Sequence, residues 1–434
     1  FACGIGPASS HLPAFCTANA HGPMPNKHAF SMDGEDKFHI YRDDACADLS
    51  ALTGKTVAIL GYGNQGRAQA LNLRDSGVTV IVGNRDDDYK KAALADGFPT
   101  HSIADAAAEA DIMFILTTDE SQAGIWVEQV LPGVKAGNIL VWASGYNVAY
   151  GLIDLPTGVD VIMVAPRMMG SIVRDLYLAG KGAMAEVGVH QDASGGAMAT
   201  ALALCKAMGL LRGGSIESSF KGEAALDLFA EQIYMPVMCK WLETCFELGI
   251  EMGFAPEKMV IELYASTEMS KIFELMARNG CYKQMSHHST TSQYGTFSRG
   301  PKYFTPEVLE HFKKTAFDIF NNDIAGGDFV DEWTKGGTAV SEKLAALMKE
   351  KLSHPMSLAE DKVLAQTQHL TTPAAPADAD AGLAGTSDLK DRVVANLLDQ
   401  NDALKAQIEE LKAQLAAKDK GADEPAAKKA KTTE

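Results

Sequence analysis

A chain of 434 residues with 46% apolar and 22% charged side chains is long enough for two domains, each burying its own core. Its formal net charge of −17 argues against nucleic acid as a partner, because phosphate binding needs clustered Lys and Arg. No apolar run approaches the ~20 residues that span a bilayer, so no membrane helix is expected.

The first residue is Phe1 rather than Met, so the start is either processed or incomplete. Residues 1–32 hold no acidic side chain and are rich in Ala, Ser, Pro and His. Such a leader is either a transit-peptide remnant, addressing plastid or mitochondrion, or an unstructured extension; it lacks the arginines that would strengthen the first reading. The seven cysteines are odd in number and form no CxxC pair, the usage of reduced thiols in an intracellular compartment.

After an extension over 1–48, short apolar runs at 57–60, 78–82, 112–116, 139–142 and 160–164 alternate with helical segments. This alternation over 49–219 predicts a parallel sheet covered by helices. The first run leads into Gly61-x-Gly63-x-x-Gly66 and a helical pattern. Gly61 permits the tight turn, Gly63 lets backbone approach a pyrophosphate, and Gly66 lets helix and strand pack closely. The helix's first N–H groups then face the phosphate charge. The domain is thus read as an α/β, Rossmann-type dinucleotide-binding unit.

From 220 to 366 apolar residues recur at three and four spacing through 223–253, 257–280, 306–321 and 339–352, which predicts an all-α domain. Residues 367–387, with Thr371-Thr372-Pro373-Ala374-Ala375-Pro376, read as a flexible linker. Val394, Asn401, Ile408 and Leu415 then alternate in heptads with Leu397, Leu404 and Leu411, predicting a homotypic coiled coil over 388–418 in which Asn401 fixes the register. Residues 419–434, with Lys428-Lys429-Ala430-Lys431, read as a disordered charged tail.

The second informative segment runs from Phe220 to Gln232. Asp227 and Glu231 stand four apart, so a helix projects both from one face. Leu226, Leu228 and Phe229 around them imply partial burial, and a buried carboxylate pair is expensive without a cation. Oxygen ligands of this kind suit Mg²⁺.

With the glycine loop, Asp227-Leu-Phe-Ala-Glu231-Gln, Asp160-Val-Ile-Met-Val-Ala-Pro166, Val189-His-Gln-Asp-Ala-Ser194-Gly and Gln293-Tyr294-Gly295 followed by Gly300-Pro301, residues 50–366 resemble ketol-acid reductoisomerase. The resemblance implies a Rossmann domain followed by a knotted helical domain that helps form a dimer. It also implies Mg²⁺, NADPH and conversion of 2-acetolactate or 2-aceto-2-hydroxybutyrate into 2,3-dihydroxy acids in branched-chain amino acid synthesis. By the same resemblance Asp227 bridges two Mg²⁺ ions and Glu231 binds one. Tyr62, Gly63, Asn64 and Gln65 cradle the pyrophosphate between Gly61 and Gly66. Asp119, Gln122 and Gly170 belong to the cofactor site, and Ser289 contacts substrate.

The chain departs from the family pattern at the centre of the site. Where the family carries His-Gly-Phe-Asn, this chain has Ser144-Gly145-Tyr146-Asn147, and Ser144 cannot titrate near neutral pH. Arg167 stands where a lysine contacts metal-bound oxygens, and its rigid fork does not lose its proton. Of two further carboxylates that the family spaces four apart, Glu268 fits one and is expected to bind metal; Tyr264 stands four before it. The nearest acid, Glu262, assigned to substrate, is six residues away, about 600° around a helix, so the two acids diverge unless the helix bulges. After the second strand, Gly83-Asn84-Arg85-Asp86-Asp87-Asp88 replaces serines that bind the 2′-phosphate. Arg85 suits adenine or a phosphate, whereas the aspartates repel a dianion and lean toward NADH.

Two functions follow. One is an active reductoisomerase, or a reductase of altered substrate, using NADP or NAD and Mg²⁺ as a homo-oligomer. The other is a nucleotide-binding scaffold that has lost the reaction, with the coiled coil holding partners together. His287 and His288, just before Ser289, read as exposed histidines rather than as substitutes for the missing one.

Overall fold

The computed structural model describes residues 29–32, 38–42 and 44–371. The expected coiled coil and charged tail lie outside the described residues. Nine strands form one sheet: β1 (Ile40–Tyr41), β2 (Thr56–Leu60), β3 (Thr79–Gly83), β4 (Thr100–His101), β5 (Ile112–Ile115), β6 (Ile139–Trp142), β7 (Asp160–Pro166), β8 (Ala185–Gln191) and β9 (Ser215–Glu217). Their order is β1-β9-β8-β7-β6-β5-β2-β3-β4. Strands β2 to β7 run parallel, as expected from their continuous apolar runs.

The sheet is nevertheless mixed, a correction to the all-parallel expectation. β8 pairs antiparallel with β7, and β1 antiparallel with β9. β8 escaped the sequence reading because Gly188 interrupts its apolar run; a Cβ there would lie 2.2 Å from the Ser218 carbonyl oxygen. Residues read as a leader also take part, since β1 forms the sheet edge and the Phe30 N–H donates to the Ala325 carbonyl.

Seven helices accompany the sheet: α1 (Asn64–Asp75), α2 (Asp88–Ala95), α3 (Ile103–Glu109), α4 (Asp119–Ile125), α5 (Tyr146–Ala149), α6 (Gly170–Leu178) and α7 (Ala197–Ala207). Alternation along β2 splits the core into two layers. Val57 and Ile59 meet Leu73 of α1 and Leu204 of α7, whereas Ala58 and Leu60 meet Ile103 of α3 and Trp126. The chain order reverses between β5 and β2, so a crevice opens at the carboxyl ends of these two strands.

The second half is helical: α8 (Phe220–Phe229), α9 (Met235–Glu251), α10 (Pro256–Val260), α11 (Glu268–Asn279), α12 (Thr290–Tyr303), α13 (Pro306–Asp318), α14 (Asp328–Lys335), α15 (Gly337–Leu352) and α16 (Pro355–Thr371). α16 carries helix past residue 367, where a linker was expected, because Ala359 and Val363 pack on Phe246 and Val260. A separate core joins Tyr146 and Tyr150 to α8 and to Ile324 and Val330. Many large apolar side chains lie outside both cores, among them Trp241, Phe273, Tyr294, Phe312 and Phe317. No helix among the described residues is long and apolar enough to cross a membrane.

Candidate functional site

The glycine loop joins β2 to α1 at the sheet's switch point. Gly61 has φ 104°, and a Cβ there would lie 2.7 Å from the Leu116 carbonyl oxygen. Gly66 packs on Gly61, leaving 2.0 Å between an added Cβ and its carbonyl oxygen. Gly63 differs: its φ is −76°, and a Cβ would meet nothing within 4 Å. Neither backbone nor packing demands glycine at Gly63, so the open side fits a ligand that approaches closely. α1 starts there with no side-chain cap on its N–H groups.

The neighbours of this loop divide into ligand-facing and structural groups. Tyr62 is tied into the fold: its N–H donates to Asn84 Oδ1 at 2.9 Å and its buried hydroxyl to Asp96. Gln65 donates to the Met168 carbonyl at 2.8 Å, and Asn64 Oδ1 accepts from the Ser171 N–H at 3.3 Å. Gly170 touches Asn64 so closely that a Cβ would lie 2.0 Å from its carbonyl oxygen; it sets the loop's shape. Gln122 is tied in likewise, donating to the Thr117 carbonyl and accepting from the buried Trp142 indole at 2.8 Å.

The acidic loop after β3 is electrically balanced, which removes the expected repulsion. Asp87 caps α2 through the Tyr89 and Lys90 N–H groups and pairs with Arg85 at 2.7 Å. Asp88 pairs with Lys91 at 2.8 Å, and Asp86 faces Lys90 at 3.9 Å. Three aspartates thus meet three cations, and Arg85 stays largely exposed.

A cleft of about 300 Å³ opens at the ends of β5 and β6. Asp119, Glu120, Ser144, Tyr146, Asp227 and Glu231 line it, with Phe329 and Trp333 of α14 on one side. α8 supplies Asp227 and the following π-helical turn, Ala230–Tyr234, supplies Glu231, so the four-residue spacing converges as expected. The expected burial holds only in part. Leu228 is buried, but Leu226 and Phe229 face outward because they sit on the opposite side of α8.

Arg167 follows β7 and crosses the cluster. Its Nη1 lies 2.9 Å from Asp227 Oδ1 and 3.2 Å from Glu223 Oε1. Glu223 is buried and also accepts the Gly145 N–H at 2.5 Å. The sequence reading missed it, although it stands four before Asp227 on the same helical face. Burial first, then Asp227 and Glu186, pushes Glu223 up to about 8 against the opposing pull of Gly145 and Arg167. Asp119 opens onto the cleft, but the crowding around its carboxyl and the charge of Glu120 push it up to about 6. Glu231 is raised by partial burial and Asp227. Asp227 and Glu231 bring carboxylate oxygens to one cleft beside a further acid, Asp119, and such an oxygen donor set fits Mg²⁺.

A folded pKa above the unfolded value stabilises at low pH. The Glu223 contribution is therefore complete below about 4.5 and lost as pH rises through about 8. In the metal-free protein, Tm is expected to fall across that window, and to fall less in Glu223→Gln; equal pH slopes by calorimetry would contradict this assignment.

Glu262, Glu268 and Ser289, expected at metal and substrate, do not line the cleft. Glu262 lies in a π-helical turn, Ile261–Ala265, whereas Glu268 begins a new helix after Thr267, whose φ is 64°. The helix both bulges, through that π-helical turn, and breaks at Thr267, which adopts a left-handed conformation unusual for a β-branched residue. Ser289 caps α12 and accepts from the Ser292 N–H at 3.2 Å. His287 and His288 contact Asn279 and Gln284. Elsewhere Glu243, Glu247 and His354 converge, but Lys240 and Lys351 pair with Glu243 and neutralise it.

Residues 51–214 match the family model described as acetohydroxy acid isomeroreductase, NADPH-binding domain, and residues 220–369 match ketol-acid reductoisomerase, C-terminal domain. The chain is 40% identical over 317 residues to ketol-acid reductoisomerase (NADP(+)) of Pyrobaculum islandicum, covering 73% of this chain and 94% of that one. Similarity to the enzyme of Caldivirga maquilingensis is 38% over 320 residues, 74% and 95% of the two chains. A solved NADH-preferring ketol-acid reductoisomerase from an uncultured archaeon superposes with a TM-score of 0.70 at 33% identity, over 77% of this chain and 100% of that one.

Proposed function

The chain belongs to the ketol-acid reductoisomerase family, and from that premise we propose how its own residues carry the reaction. It is an NAD(P)H-dependent enzyme that rearranges and reduces 2-acetolactate or 2-aceto-2-hydroxybutyrate to 2,3-dihydroxy acids. When bound, the dinucleotide supplies hydride and Mg²⁺ supplies Lewis acidity for the alkyl migration. Asp227 and Glu231 hold the cation. Gly63 and the start of α1 take the pyrophosphate. Arg167 fixes the Asp227 carboxylate and offsets the charge of Glu223. Ser144 replaces the family histidine and accepts the Tyr146 N–H at 3.2 Å. Phe329 and Trp333, stacked with 5° between their planes, form the apolar wall for the substrate's alkyl groups.

The observation that carries this reading is the convergence of Asp119, Asp227 and Glu231 on one cleft. The balanced loop at Asp86–Asp88 admits either NADPH or NADH, so both belong in the test. Mixing the protein with 2-acetolactate, Mg²⁺ and either nucleotide is expected to oxidise the nucleotide; binding without turnover would support the scaffold instead.

Glu262, Glu268 and Ser289 enter the site through a second copy of the chain. Exposed aromatic side chains on α9, α11, α12 and α13 supply the apolar face such a dimer buries, with Tyr294 70% exposed and Phe317 64%. The knotted path of the helical domain belongs to the same proposal.

A further inference from the structure

The turn that lost the family histidine also gained a hydroxyl. Where the family segment reads His-Gly-Phe-Asn, this chain has Ser144-Gly145-Tyr146-Asn147, so two changes lie within one turn. The turn is clamped: the Gly145 N–H donates to Glu223, and a Cβ on Gly145 would lie 2.0 Å from the Phe220 carbonyl oxygen. Little freedom remains for the residue that follows.

Tyr146 begins α5, is 7% exposed and lines the cleft beside Asp119, Ser144, Asp227 and Glu231. Its ring packs edge-on against Tyr150 at 5.1 Å. The two phenols then differ. Tyr150 donates to the Ile324 carbonyl at 3.0 Å, whereas the buried Tyr146 hydroxyl has no hydrogen-bond partner among the described residues. Asn147 Oδ1, on the next residue, is buried and unpartnered too, while its Nδ2 donates to Asp119 at 3.0 Å. A buried hydroxyl without a partner costs stability that phenylalanine would not. An unpartnered hydroxyl on a residue that lines the cleft points to a ligand acceptor.

We propose that the Tyr146 hydroxyl donates a hydrogen bond to an oxygen of the 2-hydroxy-3-keto acid bound in the cleft. The contact makes Tyr146 a catalytic residue of this chain, and the inference rests on the reductoisomerase reading above. Burial and nearby Asp119 hold the phenol's pKa above its ordinary value, so it donates and keeps its proton at neutral pH. The bond strengthens as negative charge grows on the acceptor oxygen during reduction. Ser144, one side chain away, leaves the room that a larger imidazole would fill.

The test compares wild type with Tyr146→Phe by thermal unfolding, by kinetics with 2-acetolactate, and by calorimetric binding of the 2,3-dihydroxy acid product in Mg²⁺. The variant is expected to unfold at an equal or higher temperature. Its kcat should fall about 10- to 100-fold, the range of one hydrogen bond to a charged group, with a smaller change in KM. Product affinity should weaken in the same direction. A variant with unchanged kcat and unchanged product affinity would overturn the proposal. An inactive wild type that binds product more tightly than the variant would overturn the reductoisomerase reading and leave the contact standing. Absence of product binding to wild type would overturn both.

Discussion

Asp227→Asn is expected to lower kcat by about 10³-fold, since a Lewis-acid centre supplies several kcal/mol and each tenfold in rate is worth about 1.36 kcal/mol. The reason lies in how the cluster is built. Asp227 is the carboxylate that both lines the cleft and meets Arg167, at 2.9 Å. An amide there loses the charge that holds a cation and leaves the guanidinium facing Glu223 and Glu186. Nucleotide affinity should stay within about twofold, because the glycine loop lies on a different element and separate sites add independently. Calorimetric titration with Mg²⁺ and with each nucleotide, beside steady-state kinetics, separates the effects. Turnover within tenfold of wild type would remove Asp227 from the metal site.

The second large effect concerns chain copies. Asp227 lines the cleft of its own chain, whereas Glu268 begins α11, away from it. If a two-fold dimer completes each site, Asp227→Asn and Glu268→Gln are each nearly inactive alone. Mixed after unfolding and refolding together, they form heterodimers in which one site carries both changes and the other none. About half of the dimers are then mixed and half of their sites intact, so activity recovers to about a quarter of wild type. No recovery would place both residues in one chain's site, and a Glu268→Gln variant that is active on its own would remove Glu268 from the site. The refolding control is wild type taken through the same cycle.

The parts of the fold legible in the sequence were those written as continuous patterns. Buried parallel strands read as unbroken apolar runs, and β2, β3, β5, β6 and β7 lie where those runs predict. Short or interrupted strands do not read so clearly, which hid β8 and the edge strand β1. In the site, spacing alone located Asp227 and Glu231. The same spacing extended one turn back would have found Glu223, but a single acid among alanines carries no sign of the Gly145 and Arg167 contacts that give it a role.

Competition for partners was the harder quantity to read. The three aspartates of 86–88 form an acidic run in sequence, yet local lysines and Arg85 balance them and a helix cap occupies Asp87. Tyr62 and Gln122 occupy cofactor-loop positions, but their polar atoms are committed to Asn84, Asp96 and Trp142. The break at Thr267 had no glycine or proline to announce it. Glu262 and Glu268 consequently sit on separate helical segments.

One measurement addresses the whole account most directly: nucleotide oxidation and product formation, followed together, with 2-acetolactate as substrate. With Mg²⁺ and NADPH or NADH, the account predicts one 2,3-dihydroxy acid formed per nucleotide oxidised, and no turnover once Mg²⁺ is chelated. Tight nucleotide binding with no dihydroxy acid formed, at any Mg²⁺ concentration and with either nucleotide, would contradict it.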